Sequence, residues 1–130
     1  MPERASFDYA VLRVVPRVER EEFVNAGVVL FCAERNFLGV RVHLDAARLG
    51  ALDPSADAGL ARERLFAFER IAAGDPEAGP IACLSRRERF HWMVSPRSTM
   101  IQVSAVHAGL CEAPEQALED LFRRLVLRHD

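Results

Sequence analysis

The sequence predicts an α+β domain, a mostly antiparallel sheet of about four strands packed with helices and completed by an amphipathic C-terminal helix. Three observations carry this. Three β-branched, apolar segments crowd the first third of the chain. After Asp45 the hydrophobic period changes from two residues to about 3.6. A further alternating segment near residue 100 is then followed by one more helical stripe, so strands and helices do not alternate regularly as they would around a parallel sheet. With 130 residues, half of them hydrophobic, the chain is long enough to bury a core without metals or disulfides, and residues 1–130 are expected to form one domain.

Residues 9–15 (YAVLRVV) and 26–32 (AGVVLFC) are nearly continuous in apolar character and read as central strands covered on both faces. Residues 37–44 (FLGVRVHL) alternate instead, with Leu38, Val40, Val42 and Leu44 on one face, which describes a strand with one less deeply buried side. The four residues 33–36 are short enough to join the second and third strands as a hairpin. Gly27 and Gly39 fall inside strands, where glycine marks a bulge or a close backbone approach. Residues 45–52 allow a short helix. Asp57 caps a longer one whose stripe Ala61, Leu65, Phe68 and Ala72 has helical spacing, and Gly74-Asp75-Pro76 stops it. Ser85 with Glu88 forms an S-x-x-E capping box, predicting a short helix over 86–93 that ends before Ser95-Pro96. Residues 99–104 alternate again as the fourth strand. His107 then opens a turn containing Gly109, and the last helix begins at Pro114 with Leu118, Leu121, Phe122 and Leu125 buried. The helices are expected on one side of the sheet.

Composition narrows the function classes. The longest apolar run is eight residues, 26–33, against roughly 20 needed to cross a bilayer. The opening MPERASFDYA has no apolar stretch of the secretory type, so a soluble cytoplasmic protein is expected. Cys32, Cys83 and Cys111 are odd in number and form no C-x-x-C pair, which speaks against a disulfide scaffold or a zinc cluster. All 17 basic residues are arginine, a bias that touches every surface alike. The net charge is −2, yet residues 81–111 hold four arginines and one acid. An acidic whole with one basic segment suits a small anionic ligand or an acidic patch on a partner better than nucleic acid. Neither long helix has the Arg-only polar face that a membrane surface would select.

Chemistry concentrates in residues 89–111 (RFHWMVSPRSTMIQVSAVHAGLC). Arg97, Ser98 and Thr99 follow a proline-rigidified turn and can hold a phosphate or carboxylate through the guanidinium and main-chain N–H groups. The plainer alternative is that the hydroxyls tighten the turn, since the segment has no Gly-rich phosphate-loop spacing. His91 and His107 are the candidate bases for a neighbouring hydroxyl. Against this, His91 lies between Phe90 and Trp92 on a short helix, where packing is the commoner role. His107 and Cys111 share the i,i+4 spacing of a helical metal pair, but Gly109 between them disfavours a helix and no further ligands are evident. No metal or cofactor is therefore assigned. Arg13 and Arg41 sit inside strands with Asn25 nearby, and either line an anion site or pair with Glu19, Glu21 or Glu22. Arg86, Arg87 and Arg89 are the candidate partner surface.

Three blocks, YAVLRVVPRVEREEFVNAGVVLF, AGDPEAGPIACLSRRERFHWMVSPRSTMIQ and VHAGLC, resemble the bacterial family called domain of unknown function 3037 (DUF3037), over about residues 9–127. The resemblance carries no catalytic residues. It implies a genomic setting beside HipA-like kinases, and hence a partner or regulator of such a kinase. The expectation is a non-enzymatic interaction protein using a surface within residues 86–99. The alternative is an enzyme or sensor for a small phosphorylated ligand at residues 95–99, and the sequence leaves a homodimer open.

Overall fold

Strand β1 (Ala5–Val14) is the centre of the sheet because both of its faces are apolar. Ala10, Leu12 and Val14 point into one core and Ala5, Phe7 and Tyr9 into another. The computed structural model describes residues 3–97 and 99–127. Strand β2 (Val24–Cys32) pairs antiparallel with one side of β1, and β3 (Phe37–Val42) pairs antiparallel with β2 across a tight turn. Asn36 supplies that turn's left-handed residue, at φ 51°. On the other side of β1 run β4 (Ile101–Val103) and β5 (His107–Cys111), one behind the other and both antiparallel to it.

The sheet thus has five strands, one more than the sequence predicts. The extra strand is β5, which replaces the turn expected at His107. Its Gly109 is not a turn residue. It lies opposite Phe7, and a Cβ there would stand 2.5 Å from the Phe7 Cζ. In a strand, residues four apart are separated by about 13 Å, so His107 and Cys111 do not share a compact face as they would on a helix.

Between β4 and β5, Ser104 bridges the interruption. Its N–H donates to the Val11 carbonyl at 2.9 Å, and its hydroxyl accepts from the Val11 N–H at 2.8 Å. A second irregularity divides β2. Leu12 pairs with Gly27 but Arg13 pairs with Asn25, so Ala26 is an extra residue in its strand. The bulge changes the parity of the buried positions: Val24 and Ala26 face the same core as Val29 and Phe31, while Val28, Leu30 and Cys32 face the other.

Helices α1 (Ala46–Leu52), α2 (Ala58–Ala73) and α3 (Arg86–Val94) cover the first face. Asp45 caps α1 through the Ala47 and Arg48 N–H groups, and Asp57 caps α2 through that of Leu60. Gly74, at φ 73°, ends α2 in the left-handed conformation that costs glycine little. The capping box of Ser85 and Glu88 starts α3. Helix α4 (Pro114–Phe122), prolonged by a wide turn over Arg123–Leu127, packs Leu118, Leu121, Phe122 and Val126 on the opposite face. Helices therefore lie on both sides of the sheet, not on one. The expectation failed because the amphipathic stripe of α4 says that it packs, not where. The two-sided burial of β1 and β2 required a layer on each face.

Candidate functional site

Helix α3 ends beside the edge strand, and the chain between them carries Arg97. Its guanidinium folds back on the helix, donating from Nη1 to the Met93 carbonyl at 3.1 Å and from Nη2 to the Trp92 carbonyl at 2.7 Å. A cation satisfying the last carbonyls of a helix is stabilising, because those groups lack partners and carry partial negative charge. The same guanidinium stacks 4.7 Å from the Trp92 ring and 5.3 Å from that of Phe68 on α2. Half-burial pulls its pKa below the usual arginine value.

Arg97 separates two concavities. One, of about 340 Å³, is floored by Ala67, Phe68, Trp92 and Ile101 and rimmed by Arg64, Arg97 and Thr99. The other, of about 370 Å³, lies past the end of the sheet and is lined by Arg13, Val15, Val18, Glu21, Phe23, Arg97 and Gln102. A larger recess of about 510 Å³ near Asp53 and Arg17 contains none of the candidate ligand or partner-surface residues.

Thr99 therefore joins Arg97, while Ser98 lies outside the described residues. The hydroxyls flanking Arg97 serve the turn: Ser95 donates to the His91 carbonyl at 2.7 Å and Thr99 to that of Ile101 at 3.0 Å. The histidines do not converge. His91 is exposed on α3, over the first face, whereas His107 pairs with Tyr9 and packs against its ring at 5.4 Å, on the face of α4. The sheet lies between them.

Arg89 departs most from its expected place on a partner surface. It is buried and holds together the end of α2, donating to the carbonyls of Ile71 and Ala72 at 2.9 and 2.8 Å and of Leu84 at 3.0 Å. Arg86 and Arg87 are exposed, with Arg87 5.2 Å from the Phe31 ring.

Arg13 and Arg41 do not share a site, because β2 separates their strands. Arg41 pairs with Glu119 of α4 and stacks over Phe122 at 4.7 Å, in place of the acids at 19–22. Arg13 stacks on Phe23 at 4.1 Å. Its cross-strand neighbour Asn25 donates to the Leu125 carbonyl at 3.2 Å. Arg13 Nε and Asn25 Oδ1 are both buried without a hydrogen-bond partner among the described residues. Burial, reinforced by the adjacent Cys32, pushes the Cys111 thiol up, which disfavours a thiolate nucleophile.

Trp92, Phe68 and Arg64 form a site that the sequence reading did not assemble. Arg64 and Phe68 are four apart on α2, a spacing that puts them on one helical face, but their meeting with Trp92 depends on how α2 and α3 pack.

Fold and site together define a small α+β domain with arginine-walled, aromatic-lined recesses at one end of a two-sided sheet. The chain belongs to the family described as Protein of unknown function (DUF3037), whose model matches residues 9–126. No curated protein and no solved structure matches it. No helix among the described residues is long and apolar enough to cross a membrane.

Proposed function

We propose that the protein is a non-enzymatic interaction module that receives an acidic segment of a protein partner in the groove between α2 and α3. One observation carries this reading. The groove has an apolar floor that includes Trp92, 38% exposed, and a rim with two arginines and no carboxylate, in a chain of net charge −2. Tryptophan and arginine dominate the energetics of protein interfaces, since each combines a large contact area with directional donors. Arg86 and Arg87 are exposed at the start of α3 but outside this groove, Arg87 lying over Phe31 of β2. A HipA-like kinase from the same host, the partner that the family resemblance implies, is the first to test.

Binding of the purified kinase, measured by calorimetry, is expected to weaken about tenfold or more, roughly 1.4 kcal/mol per decade, in Trp92→Ala and in Arg64→Glu, both on the groove. It should also fall with added salt. Unchanged affinity in both variants would remove this surface from the reading, and no complex at all would remove the kinase. The alternative, a phosphorylated small molecule clamped over residues 95–99, draws less support because Arg97 and the hydroxyls of Ser95 and Thr99 already bond backbone carbonyls.

A further inference from the structure

We propose that the recess on the other side of Arg97 binds a small monocarboxylate with an apolar body, with Arg13 as its principal donor. Arg13 projects from β1 directly across from Gln102 of β4 and is held against the Phe23 ring, its Cζ 4.1 Å from the centroid. Stacking fixes the plane of the guanidinium without using any of its N–H groups. The Nε–H is buried and unpartnered among the described residues. Leaving such a donor unmet is costly, more so on a charged group. The buried Nε–H stands on the side of its cross-strand neighbour Asn25, whose Oδ1 is equally unpartnered, so the Nη groups, engaged by no hydrogen bond among the described residues, are left to face the recess, and a carboxylate fits that end of the planar fork with two parallel hydrogen bonds.

The surrounding groups narrow the ligand class. Arg97 reaches the recess with two of its N–H groups already fixed on α3 carbonyls, so its charge is held in place and other donors stay free. Gln102 is oriented by donation of its Nε2 to the Thr99 carbonyl at 3.1 Å. Glu21 lines the same recess. Two guanidiniums and one carboxylate leave a net +1, which balances a monoanion and leaves a dianion with uncompensated charge. Val15, Val18 and Phe23 provide the apolar wall, and the volume of about 370 Å³ falls in the range of small-molecule sites. This occupant is distinct from the proposed protein partner, and its test needs no partner.

The test is an NMR titration of the intact protein with sodium benzoate at constant ionic strength, following the Arg13 Nε–H and Gln102 side-chain amide signals. Benzamide serves as the uncharged isostere and sodium sulfate as the dianion. Benzoate should shift both signals saturably while benzamide and sulfate do not, and Arg13→Gln should weaken binding about tenfold. Glu21→Gln, an exposed change that leaves Arg13 in place, should tighten benzoate about threefold and admit sulfate. If Arg13→Gln fails to fold, the Glu21→Gln result decides. Absence of a saturable benzoate shift, equal binding of benzamide, preference of the wild type for sulfate, or unaltered affinity in Glu21→Gln would each overturn the assignment.

Discussion

Arg89 and Arg97 perform the same task in two helices: each turns a guanidinium onto carbonyls of a helix's last turn. Burial separates their importance. Arg89 is buried and bonds three carbonyls, so Arg89→Met should cost about 2–4 kcal/mol, since it removes three charge-assisted bonds that tie the end of α2 to the start of α3. Urea unfolding with an unchanged m-value would measure it. A loss below about 0.5 kcal/mol would show that water reaches those carbonyls. Asp53 ties a different knot. The Ser55 hydroxyl and N–H both donate to its Oδ1, and Arg17 stands 3.3 Å from its Oδ2. These partners, the Ser55 hydroxyl foremost, hold its carboxyl below the usual aspartate range. A depressed folded-state pKa contributes stability that is fully present above the unfolded value of about 3.9 and is lost as pH falls through the folded one. Wild-type stability should therefore decline more steeply than that of Asp53→Asn as pH drops below about 4, as read by thermal unfolding at stepped pH. Parallel pH profiles would contradict the assignment.

Strand β2 shows how one residue reorganises an element. The extra Ala26 lets both parities of the strand feed the α1–α3 core, and Gly27 beside it pairs with Val42 of β3. A Cβ at Gly27 would meet the Arg41 carbonyl oxygen at 2.9 Å, whereas at Gly39 the tight neighbours are the Phe37 and Leu118 side chains. Backbone in a paired strand cannot swing away as an aromatic ring can. Gly27→Ala is accordingly expected to destabilise by about 1–3 kcal/mol and to exceed Gly39→Ala, both read from chemical unfolding. The reverse order would mean that the β2–β3 register yields more easily than the α4 packing. Pattern alone located Gly27 as an irregular position, because glycine inside a run of branched residues has few other uses. It did not reveal which residue was extra, since that depends on the partner strand.

Across the whole molecule, what was legible in the sequence is local. The hairpin of β2 and β3, the Asp57 cap, the Ser85–Glu88 box and the Pro114 start are all written within a few residues and all occur. What was not legible is relational. Strand β5 has only the backbone of β1 to define it, and its exposed His107, Ala108 and Leu110 hide any buried alternation. The side of the sheet taken by α4 follows from the need to cover Val28, Leu30 and Cys32, which no pattern within α4 expresses. Likewise Arg97 and Thr99 could be grouped because they are neighbours in sequence. Trp92 with Phe68, and Arg13 with Gln102, meet only through packing and strand register. The broken edge of the sheet has one more consequence, for behaviour in a crowded solution. A molecule approaching β4 and β5 finds three paired residues, an interruption at Ser104 where the chain turns to satisfy itself, and then five more. Such an outline gives a foreign strand too short a rail to zip along, so exposed Leu110 does not sit on a template for aggregation.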